Sequence, residues 1–468
     1  MDSSDMVQTL LEHDSSEASF LGDLFSFQQE DVERVLTSKE NHHLIANEMG
    51  TGKTYEAIAI DVQRRQADDY IDSPTLVIAP LSTISGWKKH FEELTNLKIC
   101  AIDPKNRQRF LDELKEYRSS VFICHWESLR LMPELAGVGW WHIIADEVHK
   151  AKNRKARQTV ALKKIKAKYK LGLSGTPIIN RPDELWSILN WMFPKDYRSY
   201  WRFYNSYIDF EIGHPGGYHI IKGTKNIEEL RDITKPLLTR RTKKEVLKDL
   251  PEKYYTPIEV ALTGKQRRAY DQMRKDMIAW IGENEGQPLV APVVISKLVR
   301  LQQLALAYGE LEDGEEFVLT TPSAKLDVLK ELLQPGEKTV VFTQFVKMIN
   351  LVEQELEGLN VDTLHGSTSN RGEVIERFQE GDTDVLLCSI GAGGVGITLT
   401  AASRVIFLDR SWSPAMNLQA EDRLHRIGQE NAVQVIDLIA EDTVDLGRMQ
   451  RLDQKWQWIR QLLDKDKK

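Results

Sequence analysis

The chain has 468 residues, of which 41% are apolar and 28% charged, as expected of a water-soluble globular protein with two or three domains. No stretch is long and apolar enough to span a bilayer, and the acidic N-terminus is unlike a secretion signal, so no membrane partner is expected. The three cysteines are far apart in sequence, which argues against a disulfide framework or a cysteine metal site and predicts buried thiols in a reducing compartment.

The net charge of −8 is unevenly distributed along the chain. Nine Asp or Glu and no Lys or Arg precede Arg34, so the remainder carries 62 basic and 61 acidic residues, a balance of +1. Residues 1–22 are assigned to an acidic N-terminal tail. The acidic residues 1–33 are interpreted either as a solvated tail or as an electrostatic brake that competes with nucleic acid for a basic face.

The octapeptide NEMGTGKT (47–54) follows the apolar run HLIA and precedes a predicted helix. Glycines after a strand let backbone N–H groups converge on phosphate oxygens, and the helix N-terminus adds partial positive charge. A lysine in this pattern reaches the β- and γ-phosphates, and a threonine ligates Mg²⁺. Asn47 stands where glycine is usual, and a chance glycine-rich turn is the alternative. The position between strand and helix favours a site for ATP and Mg²⁺ formed by Gly50, Thr51, Gly52, Lys53 and Thr54.

Short β-branched runs alternate with helical patterns in two clusters. The first cluster comprises residues 75–79, 121–124, 142–146 and 171–175, and the second comprises residues 339–342, 385–389, 405–409 and 433–438. Continuous apolar strands between helices indicate parallel sheets covered on both faces. Because a long stretch separates the clusters, the sequence predicts an α/β protein with two lobes, residues 23–235 and 325–446.

The run IIADEVH ends the third of these strands with two adjacent carboxylates, Asp146 and Glu147. Asp146 is predicted to hold the Mg²⁺ shell, and Glu147 to orient and deprotonate an attacking water. A pair of surface acids at a strand end is the alternative. The apolar residues before them favour a buried strand that delivers its C-terminal edge to a site.

A basic block follows directly. Residues 150–170, KAKNRKARQTVALKKIKAKYK, contain ten basic residues and no acidic one. Such a block can neutralise nucleic-acid phosphates, or it can be the solvated face of a surface helix. Charge by itself favours neither interpretation.

Residues 236–324 are predicted to form a linker with a short helical insertion. Thr263 and Gln266 have capping-box spacing at the start of a helix, and residues 308–317 are interpreted as an acidic, glycine-containing loop. At the other end of the second lobe, residues 447–468 are predicted to form a C-terminal amphipathic helix packed against a lobe. Its apolar stripe consists of Met449, Leu452, Trp456, Ile459 and Leu463.

Arg423 and Arg426 lie three residues apart in the second lobe, so they share one helical face. Two guanidiniums on one face can brace the equatorial oxygens of a transferring phosphoryl group. The alternative is a pair of surface arginines that interact with Glu421 or Asp422. On the first interpretation the site is complete only when the lobes close, so that the nucleotide drives one lobe against the other.

The order of these motifs resembles that of superfamily-two helicases, and specifically the SWI/SNF-type branch of DNA translocases. The resemblance covers about residues 24 to 446 and rests on FSFQQ (25–29), NEMGTGKT (47–54), APLSTISGW (79–87), DEVH (146–149), LSGTPIIN (173–180), DELWSILNWMFP (183–194), RRTKKEVLKDLPEK (240–253), VVFTQF (340–345), LHGSTS (364–369), SIGAGGVGITLTAA (389–402), DRSWSP (409–414) and DRLHRIGQ (422–429). It implies two RecA-like lobes with ATP and Mg²⁺ in the cleft between them. It also implies Gln28 as the adenine-reading residue and Gly396 as a nucleotide contact from the second lobe.

The resemblance implies ATP-driven movement along duplex DNA without strand separation. Phosphate contacts carry no sequence information, so DNA binding is expected to be sequence-tolerant and salt-sensitive. The predicted contacts are Ser82, Thr83, Lys88, Gln344, His365, Gly366, Ser367 and Thr398. Trp412 is predicted either to pack on the sugar–phosphate track or to belong to the core.

Two other functions stay open at this point: a strand-separating DNA or RNA helicase, and an ATP-gated DNA clamp that does not turn over. The chain looks like a compact bacterial or phage member, expected in the cytoplasm of a bacterium or infected host cell, or in the nucleus if the source is eukaryotic. Protein partners are compatible with the sequence but not identified by it.

Overall fold

The computed structural model describes residues 18–68, 73–116, 119–177, 181–213, 217, 219–283, 291–312, 316–393 and 397–463. Most of the acidic N-terminal tail and Gly396 lie outside these residues. Within them, no helix combines the length and the apolar character needed to cross a membrane.

The described residues of the first lobe form nine strands. Its elements in chain order are α1 (Ser26–Leu36), β1 (His42–Ile45), α2 (Lys53–Asp68), β2 (Thr75–Ala79), α3 (Ile84–Leu94), β3 (Ile99–Ala101), α4 (Arg107–Lys115), β4 (Val121–His125), α5 (Ser128–Leu131), β5 (Trp140–Asp146), α6 (Arg157–Lys164), β6 (Ala167–Leu173), α7 (Glu184–Met192), α8 (Tyr200–Tyr207), β7 (Ile208–Ile212), β8 (His219–Thr224), α9 (Ile227–Thr234) and β9 (Leu238–Thr239). Seven strands form a parallel sheet in the order β3-β4-β2-β5-β6-β1-β9, and β7 and β8 pair as an antiparallel hairpin.

The second lobe is built on a six-stranded parallel sheet in the order β10-β17-β16-β13-β15-β14. The elements that follow β9 are α10 (Lys243–Val246), β10 (Lys253–Val260), α11 (Gly264–Glu283), α12 (Ala291–Leu306), β11 (Tyr308–Glu312), β12 (Glu316–Thr320), α13 (Ala324–Leu332), β13 (Thr339–Thr343), α14 (Val346–Glu355), β14 (Val361–Leu364), α15 (Arg371–Glu380), β15 (Val385–Ser389), α16 (Ile390–Gly393), β16 (Arg404–Phe407), α17 (Pro414–Glu421), β17 (Val433–Ala440) and α18 (Val444–Leu463).

The central strands of both sheets are buried on both faces. Successive residues of β2 belong to different hydrophobic clusters, Leu76 to one and Val77 to the other. Val340 and Val341 of β13 divide in the same way. Because side chains alternate across a strand, each sheet needs helices on both faces. This arrangement confirms the predicted α/β fold with two parallel-sheet lobes.

The predicted linker, residues 236–324, differs from the structure in its N-terminal part. This part contributes one strand to each sheet instead of only connecting the lobes. Strand β9 pairs with β1 of the first lobe, and β10 pairs with β17 of the second lobe along its whole length. The sequence of β10, KYYTPIEV, is polar, contains Pro257 and is largely solvent-exposed. Such a composition is tolerated at the edge of a sheet and lacks the apolar signal of a central strand.

Two details of the insertion also differ from the prediction. The loop predicted at residues 308–317 is instead the antiparallel hairpin of β11 and β12. Thr263 Oγ1 accepts from Gln266 N at 3.4 Å, but the Gln266 side chain does not close the capping box. Its amide is buried, donating to Leu304 O and accepting from Ala324 N. A tertiary contact therefore replaces the local one.

The basic block, residues 150–170, is divided among a single helical turn, α6 and β6. It is therefore not one surface helix. Lys170 is buried and donates to the Trp191 carbonyl at 2.7 Å, while Lys168 pairs with Asp68 at 2.6 Å. Part of the positive charge thus interacts within the first lobe.

The C-terminal helix α18 joins the two lobes. It begins at Val444, three residues before the predicted start, directly after the last strand of the second lobe. Ile459 and Leu463 lie in a hydrophobic cluster of the first lobe, and Trp456 packs against that cluster. The C-terminal part of the predicted apolar stripe therefore packs against the first lobe, although the helix starts in the second lobe.

Candidate active site between the lobes

The loop between β1 and α2 has the conformation that phosphate binding requires. Gly50 and Gly52 have φ angles of +79° and +86°, a region that disfavours other residues. Lys53 begins α2, and its ammonium donates to the carbonyls of Asn47 at 2.8 Å and Glu48 at 2.9 Å. Burial lowers the pKa of Lys53, and nearby carboxylates oppose that shift. The predicted strand, glycine loop and helix are formed, with the lysine folded onto the loop itself, and phosphate binding stays a prediction.

Gln28 fastens this loop from helix α1. Its side-chain oxygen accepts from Phe25 N at 2.9 Å, and its amide donates to the Thr51 carbonyl at 3.0 Å. A Cβ at Gly52 would lie 2.3 Å from the Gln28 amide nitrogen, so only glycine fits there. Recognition of adenine by Gln28 stays a prediction.

Asn47, the departure from the usual glycine, bridges two buried carboxylates. Its amide donates to Asp31 at 2.8 Å and to both oxygens of Glu56 at 3.2 and 3.3 Å. Arg241 binds the other oxygen of Asp31 at 2.8 Å. Burial, and then the charge of Asp31, raise the pKa of Glu56 to about 8. A neutral donor at position 47 keeps these acids together, a role that the sequence pattern did not indicate.

Asp146 ends β5 and is held by two tryptophans. Trp87 Nε1 donates to Asp146 Oδ2 at 2.9 Å, and Trp126 Nε1 donates to the Asp146 carbonyl at 2.9 Å. Burial, and then the charge of Glu147, raise the pKa of Asp146 to about 6. Trp87 is a positioning residue that sequence analysis missed, although it closes the quoted segment APLSTISGW.

Glu147 adopts a left-handed conformation, with φ +50° and ψ +49°, that is costly for a residue with a Cβ. His149 Nδ1 lies 3.1 Å from one carboxylate oxygen, and Gln419 of the second lobe donates to the other at 3.1 Å. Burial opposes ionisation of Glu147, but His149, Lys53 and Arg423 outweigh it and lower its pKa. The carboxylate is therefore oriented and charged, as a base must be. The contact from Gln419 was not anticipated.

The two predicted arginines face this carboxylate from the second lobe. One guanidinium nitrogen of Arg423 and one of Arg426 point to the Ile397 carbonyl, at 3.4 and 3.3 Å. Burial, and then the charge of Arg426, lower the pKa of Arg423 to about 10. The alternative in which the arginines pair with Glu421 is not favoured, since Glu421 binds Arg410 and Lys253 instead. The charge of Asp422 does act on both arginines and opposes the lowering of their pKa values.

A cleft of about 1230 Å³ between the lobes brings most of the predicted residues together. The residues of the candidate ATP site that line it are Gly50, Gly52, Lys53, Thr54, Asp146, Glu147, Arg423 and Arg426. Three predicted nucleic-acid contacts, Ser82, Thr83 and Gly366, also line it, together with Lys150 and Lys152 of the basic block.

Four further predicted contacts are not among the residues that line this cleft. His365 Nδ1 is 2.9 Å from Ser367 Oγ in the loop after β14. Lys88 is half exposed on α3, with its ammonium 3.5 Å from Glu92. Thr398, which directly follows Ile397, is half-buried. Their contacts with DNA stay predictions.

Gln344 and Trp412 make internal contacts instead of presenting free polar groups. The Gln344 amide donates to Asp409 at 2.6 Å. Trp412 is half-buried, with the Arg448 guanidinium 5.3 Å from its ring and Lys455 bound to its carbonyl at 2.6 Å. Both partners of Trp412 come from α18, which favours the core interpretation of this tryptophan.

Comparisons with known proteins agree with this arrangement. A family model described as SNF2-related domain matches residues 27–306, more than half of the chain, and a helicase conserved C-terminal domain matches residues 324–428. The "Uncharacterized ATP-dependent helicase MG018" of Mycoplasma genitalium is 29% identical over 97% of this chain and 44% of its own length. The "Putative ATP-dependent helicase/translocase YwqA" of Bacillus subtilis is 32% identical over 94% and 48%. "Nuclear protein STH1/NPS1" of Saccharomyces cerevisiae is 29% identical over 93% and 34%.

Among solved structures, "Sulfolobus solfataricus SWI2/SNF2 ATPase core in complex with dsDNA" is 28% identical and aligns over 96% of this chain and 98% of its own, with a TM-score of 0.45. The chain spans less than half the length of the three relatives above. The match of the SNF2-related domain confirms the resemblance seen in the motifs: the chain belongs to the SNF2-related family.

Proposed function

We propose that this chain is an ATP-driven motor on duplex DNA, which hydrolyses ATP in the cleft between its lobes and translocates along the duplex. The single observation that carries the proposal is the composition of the cleft. Lys53, Asp146 and Glu147 line one wall and Arg423 and Arg426 line the other, so the groups for phosphoryl transfer are divided between two lobes.

The first lobe supplies the groups that would hold the triphosphate and Mg²⁺. The N–H groups of the phosphate loop and the start of α2 favour phosphate oxygens. Thr54 and Asp146 offer a hydroxyl and a carboxylate beside them, and Mg²⁺ prefers such oxygen ligands together with phosphate oxygens. When bound, Mg²⁺ would neutralise charge on the phosphates. Trp87 keeps the Asp146 carboxylate in place for this role.

Hydrolysis would follow from the orientation of Glu147. Its carboxylate takes a proton from water as the water oxygen attacks the γ-phosphorus and the bond to the β–γ bridging oxygen breaks, leaving ADP and phosphate. Gln419 and His149 hold the carboxylate during this step. Arg423 and Arg426 would stabilise the charge on the transferring group.

Coupling to DNA would use the same cleft. Ser82 and Thr83 of one lobe and Gly366 of the other line its walls, where hydroxyl and N–H groups can bind backbone phosphates. His149 also lies 3.0 Å from Ser174 Oγ, in the segment LSGTPIIN (173–180) that carries part of the family resemblance. Each ATP cycle would change the distance between two phosphate grips. Such a motor would act in the bacterial cytoplasm or in a eukaryotic nucleus.

The proposal is tested by the ATPase rate in the presence of duplex DNA, single-stranded DNA, RNA or no nucleic acid. We expect the largest stimulation by duplex DNA, and ATP-dependent displacement of a triplex-forming strand without separation of the duplex. Strand separation in a parallel assay would favour a helicase instead. Slow hydrolysis that duplex DNA leaves unchanged would favour an ATP-gated clamp and contradict the motor.

A further inference from the structure

The hinge segment, residues 240–252, connects β9 of the first lobe to β10 of the second and passes beside the phosphate loop. Lys243 N donates to Glu48 Oε2 at 2.8 Å, and Glu48 belongs to the phosphate loop. The following turn is closed by a reciprocal capping box between Thr242 and Glu245. The backbone of the hinge segment at Lys243 is therefore attached to the first lobe.

The Lys243 side chain, in contrast, binds the second lobe. Its ammonium donates to Asp422 Oδ1 at 2.7 Å and to the His425 carbonyl at 2.5 Å. The side chains of Lys243 and Asp422 are only 7% and 10% exposed. Asp422 immediately precedes Arg423, and His425 immediately precedes Arg426. One ammonium thus binds the short arginine segment, residues 422–426, at two points.

Gly50 marks the place where the three segments meet. A Cβ at Gly50 would lie 3.4 Å from Lys243 Cε and 3.4 Å from Arg426 Cβ. The phosphate loop, the hinge segment and the arginine segment are therefore close-packed around one glycine. In such packing a small displacement of one segment is transmitted to its neighbours.

We propose that Lys243 is the positioning residue that holds the arginine segment at a set distance from the phosphate loop. This inference rests on the proposed ATP hydrolysis. A buried ion pair is a costly way to fill space, because both charges lose their hydration, whereas it defines one geometry for its partners. A misplacement of about 1 Å is enough to lose about a hundredfold in rate at a reacting centre. Lys243 therefore governs how well the arginines meet the triphosphate.

The test compares Lys243→Met with Lys244→Met, a matched change at the exposed neighbouring position. We expect Lys243→Met to lower kcat by about a hundredfold while the dissociation constant for a non-hydrolysable ATP analogue stays unchanged. The double variant Lys243→Met/Asp422→Asn should be no slower than Lys243→Met, because the pair acts as a unit. Lys244→Met should match the wild type.

A second measurement does not depend on turnover. Spin labels at Lys105→Cys in the first lobe and Glu380→Cys in the second report the distance between lobes, and the three native cysteines are buried. We expect Lys243→Met to broaden this distance distribution in the absence of nucleotide. Asp422→Asn provides the same test if Lys243→Met does not fold.

The outcomes separate the two proposals. A wild-type kcat and an unchanged distance distribution in Lys243→Met would overturn the positioning role. So would equal losses of kcat and of analogue binding together with a lowered melting temperature, since these indicate a structural role only. If the wild type does not hydrolyse ATP, the proposed function fails, and the distance distribution alone decides whether Lys243 positions the arginine segment.

Discussion

The two walls of the cleft differ in how firmly their functional groups are held. On the first-lobe wall, the Asp146 carboxylate accepts a hydrogen bond from Trp87, and the Glu147 carboxylate lies beside His149. On the second-lobe wall, the guanidiniums of Arg423 and Arg426 reach a carbonyl of their own lobe at distances near the upper limit of a hydrogen bond. The first-lobe wall is therefore preorganised, whereas Arg426 on the other wall carries a guanidinium that can be redirected to a phosphate.

This difference has a physical reason. A metal ligand and a base act only from fixed positions, so their hydrogen bonds are formed before the substrate arrives. On the proposed function, the Arg426 guanidinium would approach and leave the phosphate in every cycle, so a strong internal partner would compete with the phosphate. Substitutions on the two walls should therefore lower kcat to different extents.

The largest effect is expected on the second-lobe wall. Arg426→Ala should lower kcat by about 10³-fold or more, because a guanidinium that stabilises the transferring phosphoryl group is removed. ATP binding should change little, since the phosphate loop is intact. Steady-state ATPase measurements with duplex DNA check this, with the exposed Arg451→Ala as control. Normal hydrolysis by Arg426→Ala would show that the two-lobe site is wrong.

On the first-lobe wall, Glu147→Gln should lower kcat by about 10²- to 10⁴-fold. The amide keeps the shape of the side chain but cannot take a proton from water. Binding of ATP, measured by fluorescence of a labelled analogue, should persist. Glu331→Gln, an exposed carboxylate on α13, serves as control. Turnover within a factor of a few of the wild type would remove Glu147 from the role of base.

We expect the buried ion cluster of Glu421, Lys253 and Arg410 in the second lobe to be sensitive to acid. Burial opposes ionisation of Glu421, but Lys253 and Arg410 outweigh it and lower its pKa to about 2. A lowered pKa stabilises the fold fully above the ordinary value of 4.5, and this contribution is lost as the pH falls through about 2. The shift corresponds to roughly 3 kcal/mol in the free energy of unfolding at neutral pH.

Glu421→Gln should lose that contribution at neutral pH and flatten the dependence of unfolding on pH between about 4.5 and 2. Urea denaturation at several pH values measures both effects, with the exposed Glu380→Gln as control. If the variant is as stable as the wild type at neutral pH, the ion pairs of Glu421 with Lys253 and Arg410 do not stabilise the fold.

The smallest effect is expected for Trp87→Phe, which keeps the ring packing and removes the hydrogen bond to Asp146. A hydrogen bond to a charged group contributes about 1.5 to 3 kcal/mol, so kcat should fall by about 10- to 150-fold. The Mg²⁺ concentration for half-maximal activity should rise. Trp201→Phe, at a side chain that is 55% exposed, is the matched control. Unchanged Mg²⁺ dependence would mean that Trp87 does not position the carboxylate.

Motifs whose residues lie close together in sequence were predictable. The hydrogen-bond networks around these motifs were not. The strand-loop-helix of residues 47–54 and the acids that end β5 depend on local patterns, and the structure forms both. Trp87 and Lys243 lay inside segments that the sequence analysis quoted, and Gln419 lay between two of them, yet their partners lie far away in the chain. The separations are 59 residues for Trp87 and Asp146, 272 for Gln419 and Glu147, and 179 for Lys243 and Asp422.

The sequence by itself determined two parallel-sheet lobes and the phosphate loop, because apolar runs, glycines and helix starts act over a few residues. The tertiary structure alone decided that β10 completes the second sheet, that α18 returns to the first lobe, and that Lys243 touches the arginine segment. These features depend on how separate sheets and their edges pack against one another. A polar edge strand and a lysine in a hinge carry no periodic signal by which sequence spacing reveals such contacts.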